Sequence, residues 1–229
     1  MNALILDTES NDLNGVPIEV AYIPFVLKDG SVEIDRNNLF SKYFACDEEI
    51  SYDAMAVHHI LPEDIKGQPH YTKFRLPDET EYLVCHNADY DARAIQKCGV
   101  NTSKVKLICT LNLSRKLWPN VSHKLTALSY MLAKDKQKVR ELIKHAHSAG
   151  GDVILTAGLL NQIVLKTGVK DLNSLYLMSE ASSVPELMPY GEHKGKAIEE
   201  LPPSYVEYLL GKHDLASGLR RALEMVVAK

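Results

Sequence analysis

A chain of 229 residues, 45% hydrophobic and 24% charged, can bury a substantial core and suits one medium domain with room for a small appendage. Its composition excludes long disorder, no run reaches the ~20 apolar residues of a membrane span, and there is no basic-then-apolar leader, so a cytoplasmic protein without a membrane partner is expected. The formal charge of −4 counts mildly against a nucleic-acid partner if the charge is spread evenly, and less if bound cations neutralise several acids.

The apolar run Ala3-Leu4-Ile5-Leu6 leads straight into Asp7-Thr8-Glu9, the pattern of a buried strand with carboxylates at its C-terminal mouth, where α/β sheets place their chemistry. Side chains two apart on a strand share a face, so Asp7 and Glu9 can reach one ion or one pair of ions. A turn cluster at Asn11–Gly15 separates this strand from a second over Ile18–Leu27. Lys28-Asp29-Gly30-Ser31 predicts a hairpin, with Val32–Ile34 and Leu39–Phe44 continuing an antiparallel meander.

Short helices are expected over Ser51–Ile60 and Pro62–Lys66, and a weaker helical pattern runs over His70–Leu76. Tyr82–Cys85 reads as a buried strand ending in His86-Asn87-Ala88-Asp89-Tyr90-Asp91. The pattern over Asp91–Cys98 predicts a helix closed by Gly99. Val105–Cys109 is a further strand, Leu111–Leu117 and Lys124–Leu132 are helices, and Val139–His145 is helical. The apolar stripe Val153, Ile154, Ala157, Leu160, Ile163, Val164 places Asp152 in the first turn of a long helix. Gly150 and Gly151 cost about 1 kcal/mol each as helix residues relative to Ala, so a loose start is expected there. A boundary near residue 180 divides a main domain (1–180) from a small C-terminal module (181–229) that contains Lys194, Lys196 and a terminal helix.

Cys46, Cys85, Cys98 and Cys109 have no Cys-x-x-Cys spacing, which argues against a zinc knuckle or a disulfide framework and for reduced core thiols. Gly191-x3-Gly195-Lys196 is one residue short of a phosphate-binding loop and lacks the following Ser or Thr, so nucleotide triphosphate binding is rejected.

Taken singly, each acidic motif is cheap. With 14 Asp and 16 Glu, chance alone gives about one Asp-x-Glu, and Asp47-Glu48-Glu49 is a second copy in a charged segment. A capped strand end would explain Asp7 and Glu9, a loop and helix cap would explain His86 and Asp91, and a solvated helix start would explain His147 and Asp152. The basic cluster Lys134, Lys136, Lys138, Arg140 reads first as a solvated face and second as a phosphate contact. Together, Asp7, Glu9, Asp91 and Asp152 offer four carboxylates without cysteine, a donor set that selects magnesium or manganese over zinc. Two such ions about 3.5–4 Å apart can hold the attacking and leaving oxygens of an in-line phosphoryl displacement. His147, five residues before Asp152, is the natural proton acceptor.

Asp7-Thr8-Glu9, His86-Asn87-Ala88-Asp89-Tyr90-Asp91 and His147-x-Ala149-x-x-Asp152 resemble, in order, the three motifs of the DEDDh family of 3′–5′ exonucleases. Ser51–His58, Ile108–Thr110, Arg115–Pro119 and Tyr190–Ala197 extend the resemblance over nearly the whole chain. The resemblance implies a ribonuclease H-like mixed sheet flanked by helices, dependence on two Mg²⁺ or Mn²⁺ ions, and release of nucleoside 5′-monophosphates from a 3′ end. It also implies DNA as partner, in DNA repair, with metals on Asp7, Glu9, Asp91 and Asp152 and His147 as general base. Thr8, Leu13, His58 and Asn87 match positions near the terminal nucleotide. Single-stranded or frayed DNA ends are the expected substrate, since a terminal nucleotide must leave the stack to reach buried ions. RNA 3′-end trimming on the same scaffold and a catalytically silent nucleic-acid-binding subunit are the alternatives.

Overall fold

The computed structural model describes residues 2–143, 148–212 and 215–228. Strand β1 (Ala3–Ser10) is central: it pairs antiparallel with β2 (Pro17–Lys28) on one side and parallel with a later strand on the other. With a neighbour on each edge and helices on both faces, it has no solvent side, which is why Ala3–Leu6 shows no polar alternation. The register shifts between Glu9 and Ser10, a bulge that bends the strand end. Opposite it stands Pro17, which lacks an N–H for a regular ladder.

The hairpin turn forms as expected, with Asp29 and Gly30 both at positive φ, before β3 (Ser31–Ile34). The meander does not continue outward from there. A single 3₁₀ turn at Arg36–Asn38 interrupts the edge, and β4 (Phe40–Tyr43) runs on in the same direction as β3, pairing with the first half of β2 while β3 pairs with its second half. Twelve residues in β2 give that edge room for both.

Ser51 caps α1 (Tyr52–His58) by accepting from the Ala54 N–H at 3.2 Å, and α2 (Pro62–Ile65) opens on its proline. The expected helix over His70–Leu76 is only one 3₁₀ turn, Tyr71–Lys73. Its backbone is drawn off by Ala45, which exchanges hydrogen bonds with Pro69 and Tyr71, and Phe74 is buried in extended conformation. Then β5 (Tyr82–Cys85), α3 (Ala88–Lys97) and β6 (Lys106–Cys109) form a parallel βαβ unit, giving the order β3-β2-β1-β5-β6 with β4 beside β2. Helix α3 starts three residues before the expected Asp91, so that residue lies within its first turn.

The chain continues through α4 (Thr110–Leu117), α5 (Leu125–Leu132), α6 (Lys136–Ile143) and α7 (Ala149–Thr167). The two faces of the sheet have separate cores. Ala3 and Ile5 pack under α5 and α7, whereas Leu4 and Leu6 pack against Ala88 and Ile95 of α3. Gly168 closes α7 at φ 70°, and α8 (Leu172–Ser183), capped by Asp171, follows at a bend of 93°. No single helix among the described residues is long and apolar enough to cross a membrane.

Helix α8 runs unbroken through residue 180. Beyond it, α9 (Pro203–Leu210) and α10 (Ser217–Val227) enclose a small core of Met188, Ile198, Leu209, Leu219 and Leu223. That module is docked: Gly218 lies so close to the Ser183 carbonyl that a Cβ would meet it at 1.8 Å, and Arg221 donates to Glu180. Of the four thiols, all free, Cys85 and Cys98 are core residues, whereas Cys46 and Cys109 are half-buried, so the expectation of four core cysteines holds for two.

Candidate metal centre

Strand β1 presents Asp7 and Glu9 on the face that carries Ile5, and α7 covers that face. Asp152, in the first turn of α7, comes down to meet them: one carboxylate oxygen from each of Asp7, Glu9 and Asp152 lies within 4.8 Å of the others. All three are partly exposed at the mouth of the strand. Two of the sequence motifs thus converge at one point.

Asp91 reaches the end of β1 from the opposite layer. It is 2% exposed, and the Thr8 hydroxyl, on the other side of the strand from Asp7 and Glu9, donates to its Oδ1 at 2.9 Å. It stands outside the tight group of three. Its charge is nonetheless the largest electrostatic influence on Asp7, ahead of Glu9 and Asp152. Thr8, expected beside the substrate, is 5% exposed and is committed to holding Asp91.

A fifth carboxylate, overlooked in the sequence, adjoins the group. Glu19 of β2 is 4% exposed and stands directly opposite Glu9 in the strand register. It accepts from the Ser41 hydroxyl at 2.9 Å and from the Ala149 N–H at 3.0 Å. The signal was present: a lone charge inside Ile18-Glu19-Val20, in a strand otherwise apolar, needs a buried partner.

Burial and mutual repulsion set the electrostatics. Glu9 is pushed up to about 8, first by loss of water and then by Asp152, Glu19 and Asp91. Asp91 is pushed up to about 7 by burial, against the opposing pull of the Thr8 hydrogen bonds. Asp7 lies well above the usual carboxylate range, through burial first and then four neighbouring carboxylates. A cluster of hard oxygen donors whose charges oppose one another suits a divalent cation, which removes the repulsion that protons otherwise relieve.

The remaining expected residues are dispersed. His58 is 6% exposed rather than open to a substrate, and it is no helix-surface residue. The Ile60 N–H donates to its Nδ1 at 2.9 Å, which leaves Nε2–H to donate to the Ser10 carbonyl at 3.2 Å, so its ring ties α1 to the end of β1. Asn87 is exposed at φ 93° and starts α3 without a side-chain cap. His86 is held between Thr110 and the His123 carbonyl. His147 and His145 lie outside the described residues.

Leu13 is 75% exposed at the tip of a firmly built turn. Asn11 accepts there from the Val16 N–H at 2.7 Å and donates to the Glu49 carbonyl at 3.0 Å, while Lys97 donates to the carbonyls of Asn14 and Gly15. Leu13, Ser10, Tyr90, Arg93 and Lys97 line a small cleft running from the carboxylates' end of β1. Nothing in the spacing of Arg93 and Lys97 sets them apart in sequence from a solvated helix face, and the structure places both on this cleft. A separate concavity of about 630 Å³ lies elsewhere, around Leu4, Tyr22, Asn37, Phe40 and Pro77, and contains none of the expected site residues.

The chain is 29% identical over 221 residues to exodeoxyribonuclease 10 of Escherichia coli strain K12, covering 93% of this chain and 92% of that protein. The same figures hold for exodeoxyribonuclease 10 of E. coli O6:H1. Among solved structures it resembles exonuclease X in complex with 5′-overhanging duplex DNA, with 28% identity and a TM-score of 0.60 over 77% of this chain and 99% of that one. It also resembles the zinc-bound form of E. coli exonuclease I with single-stranded DNA, with 15% identity and a TM-score of 0.55 over 80% of this chain and 45% of that one, a likeness of fold. No protein-family model matches. The fold is the ribonuclease H-like mixed sheet flanked by helices, and the resemblance drawn from the three motifs extends to these relatives over most of the chain.

Proposed function

We propose, from this similarity to exodeoxyribonuclease 10, that the chain is a metal-dependent 3′–5′ exodeoxyribonuclease that hydrolyses DNA from the 3′ end and releases nucleoside 5′-monophosphates. The observation that carries the proposal is the convergence of Asp7, Glu9 and Asp152 within 4.8 Å, with Asp91 adjoining, in a chain 29% identical to that enzyme over 93% of its length. Asp7, Glu9, Asp91 and Asp152 would hold a pair of Mg²⁺ or Mn²⁺ ions. When bound, such a pair stabilises charge on the attacking and leaving oxygens of an in-line displacement. His147 accepts the proton of the attacking water. Thr8 keeps Asp91 aimed, and Leu13 meets the terminal nucleotide while Arg93 and Lys97 line the path of its phosphates.

DNA is the substrate, as exonuclease X and exonuclease I are each seen in complex with it, and single-stranded or frayed 3′ ends are preferred because the carboxylates at the end of β1 are half-buried. A cytoplasmic place of work accords with the bacterial relatives. The C-terminal module would contact the strand further out: Tyr190 and Tyr208 are exposed, and the Lys212 ammonium lies 4.7 Å from the Tyr208 ring centre.

The test is a time course with matched DNA and RNA oligonucleotides labelled at the 5′ end, single-stranded and duplex, in Mn²⁺ and in EDTA. Stepwise shortening of DNA from the 3′ end that needs the metal and is lost in Asp7→Asn supports the assignment. Faster trimming of RNA would move the assignment to an exoribonuclease, and absence of metal-dependent mononucleotide release would reduce the protein to a binding subunit.

A further inference from the structure

We propose that Glu19 is a positioning residue that sets where Asp152 stands relative to Asp7 and Glu9, an inference that rests on the metal-centre reading above. Its side chain bridges two layers. Oε1 accepts from Ser41 Oγ on β4 at 2.9 Å, and Oε2 accepts from the Ala149 N–H, the first of α7, at 3.0 Å. The Gly150 amide also favours the charged form of the same carboxylate. Ser148 takes the next group, accepting from the Gly151 N–H at 3.2 Å on its hydroxyl, while its carbonyl accepts from Asp152 N–H at 3.0 Å. The opening amides of α7 are therefore shared between the helix's own cap and a residue on another strand.

Placement makes this more than a cap. Glu19 faces Glu9 across one rung of the β1–β2 ladder, so the point where α7 is tethered and the point where Glu9 leaves the strand are fixed to each other by backbone hydrogen bonds. From the tether to Asp152 is less than one helical turn. Gly150 belongs to the same arrangement: a Cβ there would lie 3.3 Å from Ser41 Oγ and 3.5 Å from Ser41 Cβ, so a larger residue would press the helix start away from β4. The glycine pair that predicts a loose start permits the close approach that holds it.

Serving as a fifth ion ligand is a poorer account of Glu19. Both its oxygens are occupied by donors from protein, one of them the backbone of α7 itself. A carboxylate is used where a neutral acceptor would also fit, because charge-assisted bonds to a helix N-terminus are the stronger ones.

The experiment compares wild type, Glu19→Ala and Glu19→Gln in two measurements that need no turnover: Mn²⁺ affinity by calorimetry well below the melting temperature, and hydrogen exchange at the Ala149 and Gly150 amides of the metal-free protein. Glu19→Ala should weaken Mn²⁺ binding about 10–100-fold, the usual cost of losing a group that orients a ligand, and should lose protection at both amides. Glu19→Gln keeps an oxygen for the amides and can donate to Ser41 Oγ, and should recover most of both. Wild-type Mn²⁺ affinity in Glu19→Ala, or a Gln variant as weak as the Ala one, overturns the proposal, the latter by assigning the effect to charge. If Glu19→Ala does not fold, Ser41→Ala decides, since it frees one oxygen and leaves the charge: weaker Mn²⁺ binding with faster exchange upholds the tether, and unchanged values refute it. A wild-type protein that binds no Mn²⁺ would refute the metal-centre reading instead, with the exchange data still scoring the tether.

Discussion

Replacing Glu9 by Gln should abolish turnover and raise the stability of the metal-free protein. In the folded chain Glu9 titrates at about 8, against 4.5 for the free side chain. Between these values the folded state keeps a proton that the unfolded state releases, so stability falls as pH rises from 4.5 through 8. At about 1.4 kcal/mol per pH unit, the penalty approaches roughly 3 kcal/mol by pH 7 as a ceiling. Glu9 is partly exposed, and water in the cleft and relaxation around it reduce this to about 1–2 kcal/mol. Glutamine has the same shape and no proton to manage, so in EDTA at pH 7 its melting temperature should exceed wild type by roughly 2–8 °C, at about 2–4 °C per kcal/mol for a chain of this size. Near pH 5 the gap should almost close. Saturating Mn²⁺ should reverse the order, since a ligand at 100 times its dissociation constant stabilises by about 2.7 kcal/mol and the variant binds it poorly. Scanning calorimetry at pH 5 and 7, with EDTA and with Mn²⁺, makes the comparison. A metal-free variant no more stable than wild type at pH 7, or one equally stabilised at pH 5, would refute the reasoning.

Thr8→Val removes a hydrogen bond that lowers the Asp91 pKa, so that carboxyl should rise further above 7. Because metal binding requires the ionised form, the acid limb of the pH–rate profile should move to higher pH, and an unmoved limb would show that Asp91 does not govern it. His147→Ala should slow the reaction by about 10²–10⁴-fold with unchanged Mn²⁺ affinity, measured by single-turnover kinetics; an unchanged rate would pass the proton to another group. Leu13→Ala should raise KM without lowering the melting temperature, because the side chain is 75% exposed and supports no core; a fall in melting temperature would contradict that placement.

The central strand and its acidic mouth were legible because burial on both faces leaves a continuous apolar run, and the residues ending it must be polar for a reason. Asp152 was legible from the stripe of α7, whose period places it within the first turn. Helix α8 was not anticipated: its cap, Asp171 accepting from the Ser174 N–H at 2.8 Å, stands only three residues after the glycine that stops α7. The branching of β2 between β3 and β4 could not be read from periodicity, since two strands sharing one edge alternate just as two strands in series do. Thr8 and His58 looked like substrate contacts by position in their motifs. Only packing reveals that one faces Asp91 and the other Ser10. Glu19 needed a register, because the reason for a charge inside an apolar strand is the residue opposite it.

The proposed ligand set is split between the two layers that flank the sheet, with Asp152 brought by α7 and Asp91 by α3. The first turn of α3 is gripped in turn by the last helix, where the Ser217 hydroxyl donates to both oxygens of Asp89, at 3.1 and 3.0 Å. On the proposed reading, a chain emerging from the ribosome carries Asp7 and Glu9 early but lacks Asp152 until α7 has been made, and α3 is not gripped until α10 follows. A fragment that ends before α7 would be unable to assemble the proposed site.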